Sequence, residues 1–320
     1  MDKLIEKIKS KRRVKDITLS FYKRNLNKLS NKITGSDLKS IKFLNNFKKV
    51  KTALEDYKIS TQKNYIATIL VALMTEDKNE DVIKKYRTYL NEVNNKYQEH
   101  IKTNKKSHRE SKNWVGLKEL RSILKKYQKK LRKHGIQKRT KTKLSAKEFD
   151  ILQRWVVASL YLIDDDNPPI RLGYAGMKVI SEKEFNKLKD KDDDNYLVVI
   201  SRNKKYFNLG DYKTQKTHGN KKIPISSKLN TVLNIWLRYN KTGYLLLNKR
   251  KEPMSRNSLT KYLNSTFNKY LEGNKKISST MIRHIFITDT FGDTIKKMEN
   301  TADKMLHTKD EQQKTYYKKD

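Results

Sequence analysis

The 320-residue chain contains no cysteine, so disulfides, cysteine-ligated zinc and thiol catalysis are excluded. It has only four prolines, none of them before Pro168, and only three glycines in that stretch: Gly35, Gly116 and Gly135. Such a shortage of helix breakers predicts helices through the first half. Acidic residues are also scarce, 35 against 74 Lys and Arg, which leaves a formal net charge of +39. No apolar run approaches the roughly 20 residues of a membrane span. The longest, Ile69 to Met74, suits a buried helix. The N-terminal residues lead into a basic amphipathic segment rather than a signal peptide. The expectation is an intracellular protein without a membrane partner.

What is present is positive charge, spread over the whole length. A lysine-rich solvated surface would account for it without any partner. An ordered, aromatic-containing chain of this charge points more directly to a polyanion, because each neutralised phosphate releases counterions.

Hydrophobic periodicity divides the chain. Leu4, Ile5 and Ile8 mark a short basic helix, Thr18–Ser20 begin a second, and Ser36–Asp37 are expected to cap a third. Ser60 is the expected cap of a fourth, whose face carries Tyr65, Ile66, Ile69, Leu70 and Leu73. A fifth runs from about Asp81 to Tyr97. Phe21, Tyr22, Phe43 and Tyr65 suit a core better than a base-stacking platform. Lys102–Asn113 lacks any apolar residue and is the expected linker, which gives an α-helical DNA-binding domain over 1–111 and a second domain over 112–320. The polar stretch Arg132–Lys143 competes for the linker role and is otherwise expected to face DNA.

In the second half, Phe149, Leu152, Val156, Leu160 and Ile163 form a strong amphipathic stripe, stopped by Asp164–Pro169. The acidic runs Asp164–Asp166 and Asp192–Asp194 lack a histidine or a ligand-spaced partner, so they read as turns rather than metal sites. Tyr196–Ile200, Tyr206–Leu209 and Lys222–Ile225 predict a small antiparallel sheet. Helices are expected again at Ser227–Tyr239, Ser255–Leu271, Ser279–Phe291 and Thr294–Leu306, the last two separated by a polar turn. The predicted class is mainly α with a small antiparallel β-sheet.

The last forty residues carry the chemistry-bearing pattern. Arg283–His284 opens an apolar helix, His307 follows a second helix, and Tyr316 stands nine residues beyond it. This order resembles the C-terminal signature of tyrosine recombinases, the phage-type integrases, and the resemblance extends over about Ser145–Tyr316. Within that family it is similar to the divergent enzymes of virophages and large DNA viruses.

The resemblance implies a two-domain clamp on double-stranded DNA that acts as a homo-oligomer, cutting and rejoining strands through a 3′-phosphotyrosyl bond without metal or cofactor. A type IB topoisomerase, or an inactive DNA-binding relative, is the alternative. It implies Arg171, in Pro-Ile-Arg-Leu-Gly-Tyr, and Arg283 as the phosphate clamp, since a guanidinium forks onto two phosphate oxygens and keeps its charge. Lys213, in Tyr-Lys-Thr, would be the general acid, with Lys216 the runner-up. His307 would donate to a non-bridging oxygen, Tyr316 would be the nucleophile, and His284 would support the phosphate or the structure. Three departures stand out. Thr280 occupies the usual His/Lys position, Tyr174 that of an acidic residue, and Leu306 that of a glycine.

Overall fold

A computed structural model describes residues 2–12, 14–76, 79–138, 143–189 and 194–318. The chain divides into two compact units, Met1–Lys106 and Ser107–Asp320. It is mostly helical with one four-stranded sheet. None of the helices is long and apolar enough to cross a membrane, among the described residues.

The first unit is all α: α1 (Asp2–Lys11), α2 (Asp16–Thr34), α3 (Phe47–Glu55), α4 (Ile59–Thr75) and α5 (Glu80–Lys102). Its core forms where Leu26 and Leu29 of α2 meet Ile66, Ile69 and Leu73 of α4 and Ile83 and Tyr86 of α5. Tyr65 and Tyr86 are buried, the latter donating to the Leu44 carbonyl at 2.8 Å. Two expected caps are corrected. The carboxylate of Asp37 accepts from the side chains of Asn27 and Asn31 instead of starting a helix. Lys58, not Ser60, precedes α4, so Ser60 lies inside the helix.

The second unit begins with α6 (His108–Asn113), inside the stretch expected to be linker. Ser107 and Glu110 close a reciprocal cap on it. α7 (Leu117–Lys133) follows and ends at Gly135, whose φ of 63° suits glycine. Residues 139–142 of the expected DNA-facing loop lie outside the described residues. α8 (Ala146–Leu162) starts from a Ser145–Glu148 capping box and is buried on nearly every face from Leu152 onward. The remaining elements pack around it.

These are β1 (Lys178–Ser181), α9 (Glu182–Lys187), β2 (Asn195–Val199), β3 (Lys205–Leu209), α10 (Gln215–His218), β4 (Lys221–Pro224), α11 (Ser227–Tyr239), α12 (Arg256–Asn268), α13 (Ser279–Lys304) and α14 (Lys309–Glu311). The sheet order is β1-β2-β3-β4. β2, β3 and β4 pair antiparallel as expected, but β1 joins parallel to β2, so the sheet is mixed. The crossover helix α9 returns the chain for that parallel pairing. Asp192 and Asp193 lie outside the described residues; Asp194 is bonded to Lys178 at 2.5 Å. Asp164 is buried, accepting from Ser226 Oγ and from the Asn167 backbone N–H, which makes its acidic run a turn.

A further correction concerns α13. The polar turn expected between Phe291 and Thr294 does not form, and Gly292 lies within one continuous 26-residue helix. A lone glycine weakens a helix by about 1 kcal/mol without ending it.

Lys205 is 4% exposed yet meets no carboxylate among the described residues. Its ammonium donates to Asn230 Oδ1 (2.8 Å), Asn234 Oδ1 (2.6 Å) and the Arg202 carbonyl (2.7 Å). Burial, and then the charge of Arg202, pull its pKa below the usual lysine value. Replacing it with alanine removes this donor from the Asn230 and Asn234 oxygens, while the Arg202 carbonyl keeps the bond from Asn230 Nδ2 (3.1 Å). The substitution is expected to destabilise the second unit by about 2–4 kcal/mol in a denaturant titration.

Candidate phosphodiester site

The turn carrying Arg171 is fixed by aromatic hydroxyls. Tyr161 of α8 donates to the Arg171 carbonyl at 2.9 Å, and Tyr174 donates back to the Leu160 carbonyl at 3.1 Å. The two rings meet edge-on at 5.3 Å. Tyr174, at the position of the expected acid, is therefore a core residue that holds the turn against α8. The Arg171 side chain itself is exposed.

Arg283 lies on the first turns of α13, whose start is capped by Ser278. Met281, Ile282, Ile285 and Phe286 bury one face of that helix and leave Arg283 half-buried at the edge. Desolvation, and secondly the positive charge of Arg171, lower the Arg283 pKa from its ordinary value. The structure thus brings the two guanidiniums within electrostatic reach of one another. Neither has an ion pair among the described residues.

His284 is turned away from this pair. Its Nδ1 shares a 2.7 Å hydrogen bond with Glu110 Oε1, while Glu110 Oε2 accepts from the Ser107 N–H and hydroxyl. The Ser107 bonds, ahead of His284, hold the Glu110 carboxyl below its usual pKa. His284 is therefore occupied in anchoring α6. Thr280 is exposed on the first turn of α13.

Lys213 is exposed between β3 and the short helix α10, and Lys216 is exposed on α10 itself. A side chain that sequence reasoning missed joins the Lys213 segment to that of Arg171. The buried Asn195 donates through Nδ2 to the Gly173 carbonyl (3.0 Å) and the Asp211 carbonyl (3.1 Å), and its Oδ1 accepts from the Asp211 N–H (3.0 Å). Gly173 follows Arg171 by two residues, and Asp211 precedes Lys213 by two. Arg256 braces the same turn by donating to the Asp211 carboxylate at 2.8 Å. Nothing in the sequence marks Asn195, because an asparagine after an acidic run reads as an ordinary turn residue.

His307 and Tyr316 form a second group. Their rings meet edge-on at 4.9 Å, and neither buried ring nitrogen of His307 has a hydrogen-bond partner among the described residues. Tyr316 ends a π-helical turn, Gln312–Tyr316, and is 58% exposed. With Tyr317, Met298, Met305, Gln312 and Gln313 it lines an open groove of about 600 Å³. Leu306 closes α13 in the left-handed region, φ 57°, where glycine is usual. The His307 and Leu306 N–H groups bond back to the Ala302 and Asp303 carbonyls. The leucine side chain is 93% exposed.

The described residues contain no cluster of His, Asp or Glu able to hold a metal ion. No protein-family model and no curated protein matches the chain. Among solved structures, a crystal structure of XerA recombinase aligns over 93% of this chain and 87% of that one, at 13% identity and a TM-score of 0.31. A likeness at that level leaves function to be argued from the site's own residues.

Two outcomes are expected. Asn195→Ala removes three hydrogen bonds from two turns, so amide exchange at Asp211 is expected to quicken at least tenfold, with a loss of about 2–3 kcal/mol in stability. Leu306→Gly relieves a left-handed leucine and is expected to stabilise the end of α13 by about 1 kcal/mol, read as slower amide exchange at His307.

Proposed function

We propose that the chain is a DNA strand transferase of the tyrosine-recombinase type. The observation that carries this reading is the pair Arg171 and Arg283, two guanidiniums within electrostatic reach of one another and neither in an ion pair among the described residues. Such a pair is poised for a doubly charged or charge-accumulating anion, and a phosphodiester under attack fits it. The excess of 39 positive charges supports a nucleic acid as the source of that phosphate.

In this reading the Tyr316 oxygen attacks phosphorus, and the bond from phosphorus to the 5′ oxygen breaks. The products are a 3′-phosphotyrosyl link and a free 5′ hydroxyl. Lys213 gives that leaving oxygen its proton, and Arg171 and Arg283 hold the non-bridging oxygens. His307 donates to one of those oxygens, and the Tyr316 phenol gives up its proton to solvent as its oxygen bonds to phosphorus. Attack by the 5′ hydroxyl of another strand reverses the steps and reseals the backbone, so bond energy is conserved and no nucleotide is consumed. Thr280 contributes at most a neutral hydrogen bond where relatives of this type carry a cation. The helical first unit supplies further phosphate contacts, so the enzyme grips duplex DNA through both units and works as an oligomer on paired sites.

The test uses nicked duplexes of randomised sequence, which trap a covalent adduct. Tyr316→Phe is expected to abolish the adduct with DNA binding intact, whereas Tyr317→Phe leaves it. Arg171→Ala or Arg283→Ala is expected to slow cleavage by about 10²–10³, and lysine at either position will not restore it, because the fork is lost. Adducts mapping to Tyr317 would reassign the nucleophile. Relaxation of a site-free supercoiled plasmid without strand exchange would make the enzyme a topoisomerase.

A further inference from the structure

Resting on that reading, we infer that Asn167 and Asn195 are positioning residues for Lys213, two carboxamides that tie both arms of the β3–β4 hairpin carrying it to the turn carrying Arg171. Asn195 holds the leading arm. Its side chain bonds both backbone groups of Asp211, the N–H at 3.0 Å and the carbonyl at 3.1 Å, and donates to the Gly173 carbonyl at 3.0 Å. Asn167 holds the trailing arm. Its Nδ2 donates to the carbonyl of Pro224, the last residue of β4, at 2.9 Å, and its Oδ1 accepts from the Ser226 N–H at 2.8 Å. Each side chain thus pairs with backbone much as a peptide group does. Both asparagines are buried.

The two ties meet in one short segment. Asn167-Pro168-Pro169-Ile170-Arg171-Leu172-Gly173 has an anchor at each end and Arg171 between them. Pro168 and Pro169 each fix their own φ and restrict the residue before them, so the segment is stiff. Asp164 steadies its start, accepting from the Asn167 N–H at 3.1 Å and from the Ser226 hydroxyl. The Tyr161 hydroxyl holds it further along, at the Arg171 carbonyl.

The hairpin between the ties is a unit in itself. β3 and β4 pair from Tyr206 with Pro224 to Leu209 with Lys221. At the tip the Tyr212 hydroxyl donates to the Gly219 carbonyl, and Lys213 stands exposed within the loop that this bond closes. A hairpin tied at one arm can twist about the tie; a tie at each arm resists that twist. What the asparagines set is the offset between the Lys213 ammonium and the Arg171 guanidinium, which must reach different oxygens of one phosphodiester. Being neutral, they do so without offering either cation a carboxylate to pair with.

Leaving-group chemistry separates this role from a role in stability. A 5′-bridging sulfur departs as a thiolate and needs no proton, so it bypasses Lys213 while still needing the arginines. On nicked duplexes with the ordinary bridging oxygen, Asn167→Ala and Asn195→Ala are expected to form adduct about 10–10² times more slowly, as a misplaced group would. On the sulfur duplex both are expected within about threefold of wild type, as Lys213→Ala is, while Arg171→Ala stays slow. In a Lys213→Ala chain, adding either asparagine substitution is expected to cost less than about twofold. Asn167→Ser and Asn195→Ser, too short to reach both partners, take their place if an alanine variant does not fold. Equal slowing on oxygen and sulfur, or no slowing on oxygen, overturns the proposal.

A distance measurement stands apart from catalysis. The chain has no cysteine, so Lys147→Cys on α8 and Thr217→Cys on α10, both at exposed positions, give unique spin-label sites. One narrow distance is expected in the parent chain, and a distribution at least about twice as wide after Asn167→Ala or Asn195→Ala. An unchanged width overturns the proposal even where cleavage is slowed. If wild type forms no adduct on either duplex, the recombinase reading fails instead, and the width alone decides whether the asparagines hold the hairpin.

Discussion

Arg171 and Arg283 lie within electrostatic reach of one another, neither in an ion pair among the described residues, and the backbone that carries each is anchored in the core of the second unit. Repulsion between guanidiniums is tolerable only when the backbone carrying each is tied down. For Arg171 the tie is the buried helix α8, reached through the hydroxyls of Tyr161 and Tyr174. For Arg283 it is the apolar face of α13, seated in the same core. Neither anchor depends on the charge it carries, so the pair stays assembled without a ligand.

Five acids of the second unit are already engaged. Asp211 is held by Arg256, Asp194 by Lys178, Asp289 by the start of α7, Glu110 by Ser107 and His284, and Asp164 by Ser226. Each of these five carboxylates is engaged by a partner other than Arg171 or Arg283. The chain has about twice as many basic as acidic residues, and neither Arg171 nor Arg283 has an ion pair among the described residues. Asn195 extends the same economy to Lys213, since a single neutral amide couples its segment to that of Arg171 without adding charge.

Much of this was legible in the sequence, for identifiable reasons. α8 is amphipathic over several turns and begins with a capping box, so its period and its start agree. β2, β3 and β4 are short apolar runs between turn residues. The pairing of Arg171 with Arg283 was reachable through the resemblance alone, because no periodicity links residues so far apart. What escaped were features that depend on tertiary context. β1 has no strand signal strong enough to stand without its parallel partner. Phe291–Gly292–Asp293 carries the residues of a turn, yet helix hydrogen bonding on both sides outweighs one glycine. Ser36–Asp37 and Ser60 look like caps by composition, but nearby side chains and the preceding residue decide otherwise. Asn195 and the Glu110–His284 contact join residues remote in sequence and leave no local trace.

The continuity of α13 makes it a gauge of rotation as well as of length. Each residue added to its distal half would swing the groove carrying Tyr316 by about 100° around the axis. One insertion therefore turns Tyr316 to another side of the helix even though the length changes little. Seven residues, close to two full turns, nearly restore the azimuth while extending the helix by about 10 Å. Only changes of close to whole turns in the length of α13 would keep the groove that Tyr316 lines on the same side of its axis.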